Sequence, residues 1–118
     1  MVFARDQPYS REEIAGGLRV GKGDLHAVLV RRGRAIAVVV NEKGKNPFNG
    51  KDYENRLSPT SFSMQGENDD RGHLLEDPAN IVHLFFMRTG EQGYRYEGQI
   101  RFEPPTTEWA TRAFARIL

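Results

Sequence analysis

Cysteine is absent from the 118 residues, so disulfide bridges, thiolate nucleophiles and cysteine-bound zinc are excluded. Long apolar runs are absent too. The longest, AIAVVV at 35–40, falls far short of the roughly 20 residues that a membrane-spanning helix needs. The amino-terminal stretch shows no apolar core of signal-peptide length. The expectation is a soluble, cytoplasmic protein with no membrane partner. Excess charge of one sign is also missing: 17 basic residues against 16 acidic leave a net +1, so bulk charge selects no partner and local clustering has to be read instead. A chain of 118 residues with 38% hydrophobic content can bury one modest core, which predicts a single domain over 1–118.

Within that frame, YSREEIAGGL reads as a short helix: Ser10 is an N-cap, Glu13 three positions on completes a capping box, and Gly16 and Gly17 end it. DLHAVLV (24–30) and RAIAVVVN (34–41) are β-branched runs flanking RRG, which predicts a central hairpin with Arg31, Arg32 and Arg34 at its tip. EKGKNPFNGK (42–51) is punctuated by glycine and proline and reads as a loop, as does RGHLLEDPAN (71–80). YENRL and SFSM are short strands on either side of a Ser58-Pro59 turn. IVHLFFMR (81–88) is apolar on both faces and belongs in the middle of a sheet. In YRYEGQIRF, Tyr94, Tyr96, Ile100 and Phe102 alternate with polar residues, predicting a strand with one wet face that Pro104 and Pro105 stop. TTEWATRAFARIL places Trp109, Ala110, Ala113, Phe114 and Ile117 on one stripe of a closing amphipathic helix. The sum is α+β: a mainly antiparallel, curled sheet of five or six strands with short helices near both ends.

The stretch SFSMQGENDD (61–70) passes from an apolar pair to a dense polar run, which fits a solvated turn, a metal or acid/base site, or a recognition surface. Spacing argues against metal. The run lacks the alternate ligands, the central glycine and the terminal acid of a calcium loop. His26, His73 and His83 are too scattered for a helical zinc pair, and no nucleophile elbow surrounds any serine. A minimal hydrolase built on His73 and neighbouring acids stays as a third reading. Binding has better material: Arg31, Arg32, Arg34, Lys43, Lys45, Lys51 and Arg71 cluster in hairpin and loops beside Asn46, Phe48, Asn49, Gln65 and Asn68.

Taken in order, YSREEI, DYENRLSPTSFSMQGEN, IVHLFFMR and YRYEGQI resemble a domain found at the carboxyl end of some superfamily II helicases. The same domain type resembles the amino-terminal, modified-cytosine-reading part of McrA-type restriction endonucleases. Where that family usually reads Phe-His-Trp-Gln-Ser-Gln-Asn, Phe62, Gln65 and Asn68 match, while Met64, Gly66 and Glu67 depart from its Trp, Ser and second Gln. His83, Leu84, Phe85, Arg88, Tyr96, Gly98 and Ile100 fit a later pattern of the family. The His-Asn-His nuclease constellation that accompanies such readers is absent from the sequence.

The resemblance implies a reader without catalysis or cofactor that recognises 5-methylcytosine in double-stranded DNA, with a separate nuclease or regulatory protein as a further partner. It also implies detection within the duplex, although the residues themselves fit base flipping equally. On that reading Arg31, Arg32, Arg34, Lys43, Lys45 and Arg71 hold phosphates, and Phe48, Tyr53, Met64, Gln65, Glu67 and Asn68 read the base or its methyl group. The alternative is a module for RNA or single strands that stacks bases on Tyr94 or Tyr96.

Overall fold

In a computed structural model, residues 3–5, 7–20, 29–45, 50, 52–65, 70–107 and 111–117 are described. Strand β1 (Pro8–Tyr9) leads into helix α1 (Arg11–Leu18). The Ser10 hydroxyl accepts from the Glu13 N–H at 3.1 Å and the Glu13 carboxylate accepts from the Ser10 N–H at 3.0 Å. Two orphan donors of the first turn are thereby satisfied, as the sequence predicts. Gly16 and Gly17 lie inside the helix rather than ending it; the chain turns off at Arg19, which is left-handed at φ 57°. A side chain at Gly17 would run into the Phe3 ring, so that glycine serves a close approach.

Strands β2 (Leu29–Arg32) and β3 (Ala35–Asn41) form the predicted hairpin, turning through Gly33 at φ 59°. Only β3 is central. It pairs in parallel with β8 (Ile81–Met87), which pairs antiparallel with β9 (Tyr94–Thr107). β10 (Thr111–Ile117), β7 (Ser61–Met64) and β6 (Arg56–Leu57) extend the sheet, β1 adds to β9, and β4 (Lys43–Lys45) pairs with β5 (Asp52–Glu54) as a separate ribbon. The class is α+β, but among the described residues the sheet is mixed and eight-stranded, with the ribbon beside it, rather than a mainly antiparallel sheet of five or six strands. The parallel pairing of β3 with β8 makes the sheet mixed, while β1 and the carboxyl strand β10, not counted as strands from the sequence, raise the number.

Four local expectations are also corrected. Lys43–Lys45 is strand, not loop. The supposed loop at 71–80 contains helix α2 (Asp70–Glu76), which buries Leu75 against the core, is followed by Pro78, and has its Leu74 carbonyl bonded by the Asn80 side chain at 2.9 Å. The carboxyl segment is a strand, not an amphipathic helix: Phe114 sits opposite Phe62 on β7 and Phe102 on β9. Trp109 and Ala110 of the expected stripe lie outside the described residues. A seven-residue run is too short for periodicity to separate the two structures, and an open ladder between β7 and β9 decided it. Pro104 and Pro105 do not stop β9; the ladder to β10 is irregular opposite them, where missing N–H groups are tolerated.

The sheet is buried on both sides. Ile36, Val38, Val40, Leu84, Phe86, Phe62, Met64 and Phe114 fill one core, while Ala37, Val39, Phe85, Tyr9, Ile14 and Leu18 fill the other. This two-sided burial explains the continuous apolar reading of β3 and β8. β9 switches sides. Leu84 pairs with Gly98 but Phe85 with Tyr96, so Glu97 is an extra, bulged residue and Gly98 takes φ 92°. Tyr94 and Tyr96 therefore serve the second core and Ile100 and Phe102 the first, although all share one parity in the sequence. Among the described residues no helix is long and apolar enough to cross a membrane. Phe62 is 1% exposed and packs edge-on to Phe86 at 6.1 Å. Phe62→Ala is expected to cost about 3–5 kcal/mol in urea unfolding; a loss below about 1 kcal/mol would mean that this core does not close as described.

Candidate nucleic-acid interface

Where β3 ends, the Glu42 N–H donates to the Met87 carbonyl at 2.9 Å and its carboxylate accepts from the Thr89 N–H at 3.0 Å. Those hydrogen bonds from Thr89 hold the Glu42 carboxyl below the usual carboxylate range. The ribbon leaves the main sheet there. Across it Lys43 faces Glu54, Gly44 faces Tyr53 and Lys45 faces Asp52. The Tyr53 ring lies over Gly44 so closely that a β-carbon there would collide with its hydroxyl and ring. Glycine in this strand thus marks a ring crossing the ribbon.

Asn55, 3% exposed, fixes the ribbon to the sheet. Its backbone N–H donates to the Glu42 carbonyl at 2.8 Å, its Nδ2 to the Asn41 carbonyl at 2.8 Å, and its Oδ1 accepts from the Gln65 N–H at 3.1 Å. Gln65 returns the link: its Oε1 accepts from the Glu54 N–H at 3.1 Å. Together these elements enclose an open cavity of about 620 Å³ lined by Lys43, Gly44, Lys45, Asp52, Tyr53, Glu54 and Gln65.

Four of the sequence-derived candidates, Lys43, Lys45, Tyr53 and Gln65, thus converge. Others do not. Arg31, Arg32 and Arg34 sit at the opposite end of β3, roughly 20 Å away for a seven-residue strand. The arginines and lysines expected to hold phosphates thus lie at opposite ends of β3. Met64 is 1% exposed inside the first core, so it offers no wall to a ligand. Arg71 lies in the first turn of α2 with its side chain outside the described residues, as are Phe48, Glu67 and Asn68 entirely. Asn46, Asn49, Lys51 and most of the polar run 65–70 fall outside them as well.

Acids share the cavity with the lysines. Lys45 and Asp52 approach to 3.9 Å, and Glu54 lies 3.4 Å from Arg56. With Lys45 and Asp52 more than three-quarters exposed, that pair contributes little to stability. The cavity presents donors and acceptors together, a chemistry suited to base edges beside phosphates. Asp52, Glu54, Gly44 and Asn55 were not read from the sequence as site residues. The signal for Asn55 was its place as a poor strand former in the middle of YENRL, which it splits into β5 and β6.

No family model matches this chain, and no curated protein does. Away from the ribbon, His73 and Glu76 have structural partners. His73 Nδ1 lies 3.2 Å from Glu76, whose carboxylate also accepts from Arg112 at 3.0 Å. His26 is outside the described residues. Among the described residues no cluster of histidine and acids is arranged to hold a metal. Tyr94 is buried with Arg11 over its ring at 5.1 Å, and Tyr96 packs on Phe3 and Phe85, so neither presents the stacking face that the single-strand alternative requires.

His83 Nδ1 lies 2.9 Å from the Tyr96 hydroxyl. Burial pushes the His83 pKa down and the Tyr96 pKa up. A depressed histidine contributes stability that is complete above its unfolded value near 6.5 and is lost as pH falls below it. Urea unfolding is accordingly expected to show stability falling from pH 7.5 to pH 5, with a shallower fall in His83→Gln; parallel profiles would contradict it. Asn55→Ala leaves a carbonyl and an N–H without their partners and is expected to cost about 1–3 kcal/mol. The Gln65 amide should at the same time lose hydrogen-exchange protection, and unchanged protection there would remove Asn55 from this role.

Proposed function

We propose that this domain is a non-catalytic reader of modified cytosine in double-stranded DNA, and that the ribbon of β4 and β5 is its reading element. The observation that carries this is the ribbon itself: two short strands standing off the main sheet, with a tyrosine laid across a glycine between two exposed lysines. The major groove of B-DNA admits a two-stranded ribbon, and the 5-methyl group of a pyrimidine projects into that groove. Lys43 and Lys45 neutralise flanking phosphates. Tyr53 takes the methyl-sensing role expected of Met64, because its ring lines the cavity while Met64 is enclosed. Glu54 or Asp52 accepts from the cytosine amino group, and the Gln65 amide contacts a neighbouring base edge. The resemblance to McrA-type readers through Phe62, Gln65 and Asn68 supports the same choice of ligand.

Magnitudes set what such a reader achieves. Burying one methyl contributes about 0.8 kcal/mol, a few-fold in affinity. Most of the binding free energy then comes from phosphate contacts, which makes affinity strongly dependent on salt. In a competition assay, duplexes differing only in cytosine 5-methylation should differ a few-fold in favour of the methylated one, and both should outcompete single strands. Tyr53→Ala is expected to abolish the preference while keeping most of the affinity. Equal competition by methylated and plain duplexes with the unaltered protein would end the proposal.

A further inference from the structure

The arginines at the other end of β3 lie too far away to serve the ribbon cavity. Arg31, Arg32 and Arg34 are exposed, and so is Arg19 beside them, joined by a hydrogen bond from Arg32 Nη1 to the Arg19 carbonyl at 2.7 Å. Arg31 Nε donates to the Gly33 carbonyl at 2.9 Å. Among the described residues none of these four pairs with an acid. The contrast is with Lys45, Arg56, Arg88, Arg95, Arg112 and Arg116, each of which lies within 4.0 Å of a carboxylate. Among the described residues, Arg19, Arg31, Arg32 and Arg34 thus bring four positive charges without an acid partner to one tip, in a chain of net charge +1.

Ordinary structural roles cover only part of this cluster. Arg19 at the end of α1 suits the negative end of a helix, and one charge on a terminal strand is enough to deter sheet-to-sheet pairing. Neither role calls for Arg31, Arg32 and Arg34 together. Successive residues of a strand leave opposite faces, so Arg31 and Arg32 flank β2 on both sides, while Arg34 occupies the turn. Arg31 through its Nε and Arg32 through its Nη1 are anchored to backbone carbonyls, and each guanidinium has further N–H groups with which to donate to a ligand. Cations on both faces of a narrow tip match phosphates on both walls of a nucleic-acid groove, and guanidinium binds phosphate oxygens in bidentate fashion.

The geometry points to a second, separate phosphate-binding surface, formed by Arg19, Arg31, Arg32 and Arg34, that grips the DNA backbone about 20 Å from the reading ribbon along β3. The inference rests on duplex DNA being the ligand, as proposed above, and not on recognition of the methyl group. Binding to a labelled duplex, methylated or plain, is measured by anisotropy at several salt concentrations for the unaltered protein, for Lys43→Gln with Lys45→Gln, and for Arg31→Gln with Arg32→Gln and Arg34→Gln. Thermal melting checks that each variant folds.

Every phosphate left without its cation lowers the slope of log affinity against log salt by about 0.9, so the arginine variant should fall by about 2 to 3. That reduction should be equal for methylated and plain DNA. A slope unchanged in the arginine variant overturns the second surface, even if methyl preference is observed. A lowered slope in a protein without methyl preference upholds the surface and overturns the reader. Displacement of the duplex by polyglutamate at matched charge, abolished by the arginine substitutions, would assign the tip to an acidic protein and overturn the DNA assignment.

Discussion

The parallel pairing of β3 with β8 is the constraint from which the rest of the molecule follows. Seven consecutive partners, Ala35 with Ile81 through Asn41 with Met87, place apolar side chains on both faces of the sheet. Both faces must then be covered, one by α1 and the amino-terminal aromatics, the other by α2 and the strands β7 and β10 that carry Phe62 and Phe114. A parallel pair also requires its connection to return from one end of the sheet to the other. Everything between Asn41 and Ile81 makes that journey, and the ribbon stands at its start. The two ends of β3 consequently hold the two polar features of the molecule, the arginine tip and the lysine ribbon.

How much of this was legible depended on whether the deciding interaction was local. Helix α1 was readable because its cap is closed within four residues by Ser10 and Glu13. β3 and β8 were readable because burial on two sides demands an unbroken apolar run. The carboxyl strand was not: Phe114 and its neighbours satisfy either period over seven residues, and the choice was made by β7 and β9, far away in sequence. The ribbon was hidden for another reason. Lys-Gly-Lys has little strand propensity, and it becomes a strand only because Asp52–Glu54 and the buried Asn55 hold it.

At the candidate site, the amides and lysines were identified by residue type, but which of them meet was set by topology. The alternation of Phe62 with Met64 placed both on one face, and with Phe62 in the core Met64 had to follow. Tyr53, by contrast, sits opposite a glycine and keeps its ring in the cavity. Charge balance told a similar story. Near-neutral total charge hid an uneven distribution, in which, among the described residues, Arg19, Arg31, Arg32 and Arg34 gather at one extremity without an acid partner.

The bulge at Glu97 carries an evolutionary consequence. Because one surplus residue reverses which side of β9 faces which core, this strand tolerates length changes in twos far better than in ones. Losing a single residue between Tyr94 and Ile100 would either swing two tyrosines into the layer built for Ile100 and Phe102 or drive Glu97 inward. Related chains should therefore keep the spacing of these aromatics more strictly than their identities, with a glycine after the surplus position as the mark of the same crossing.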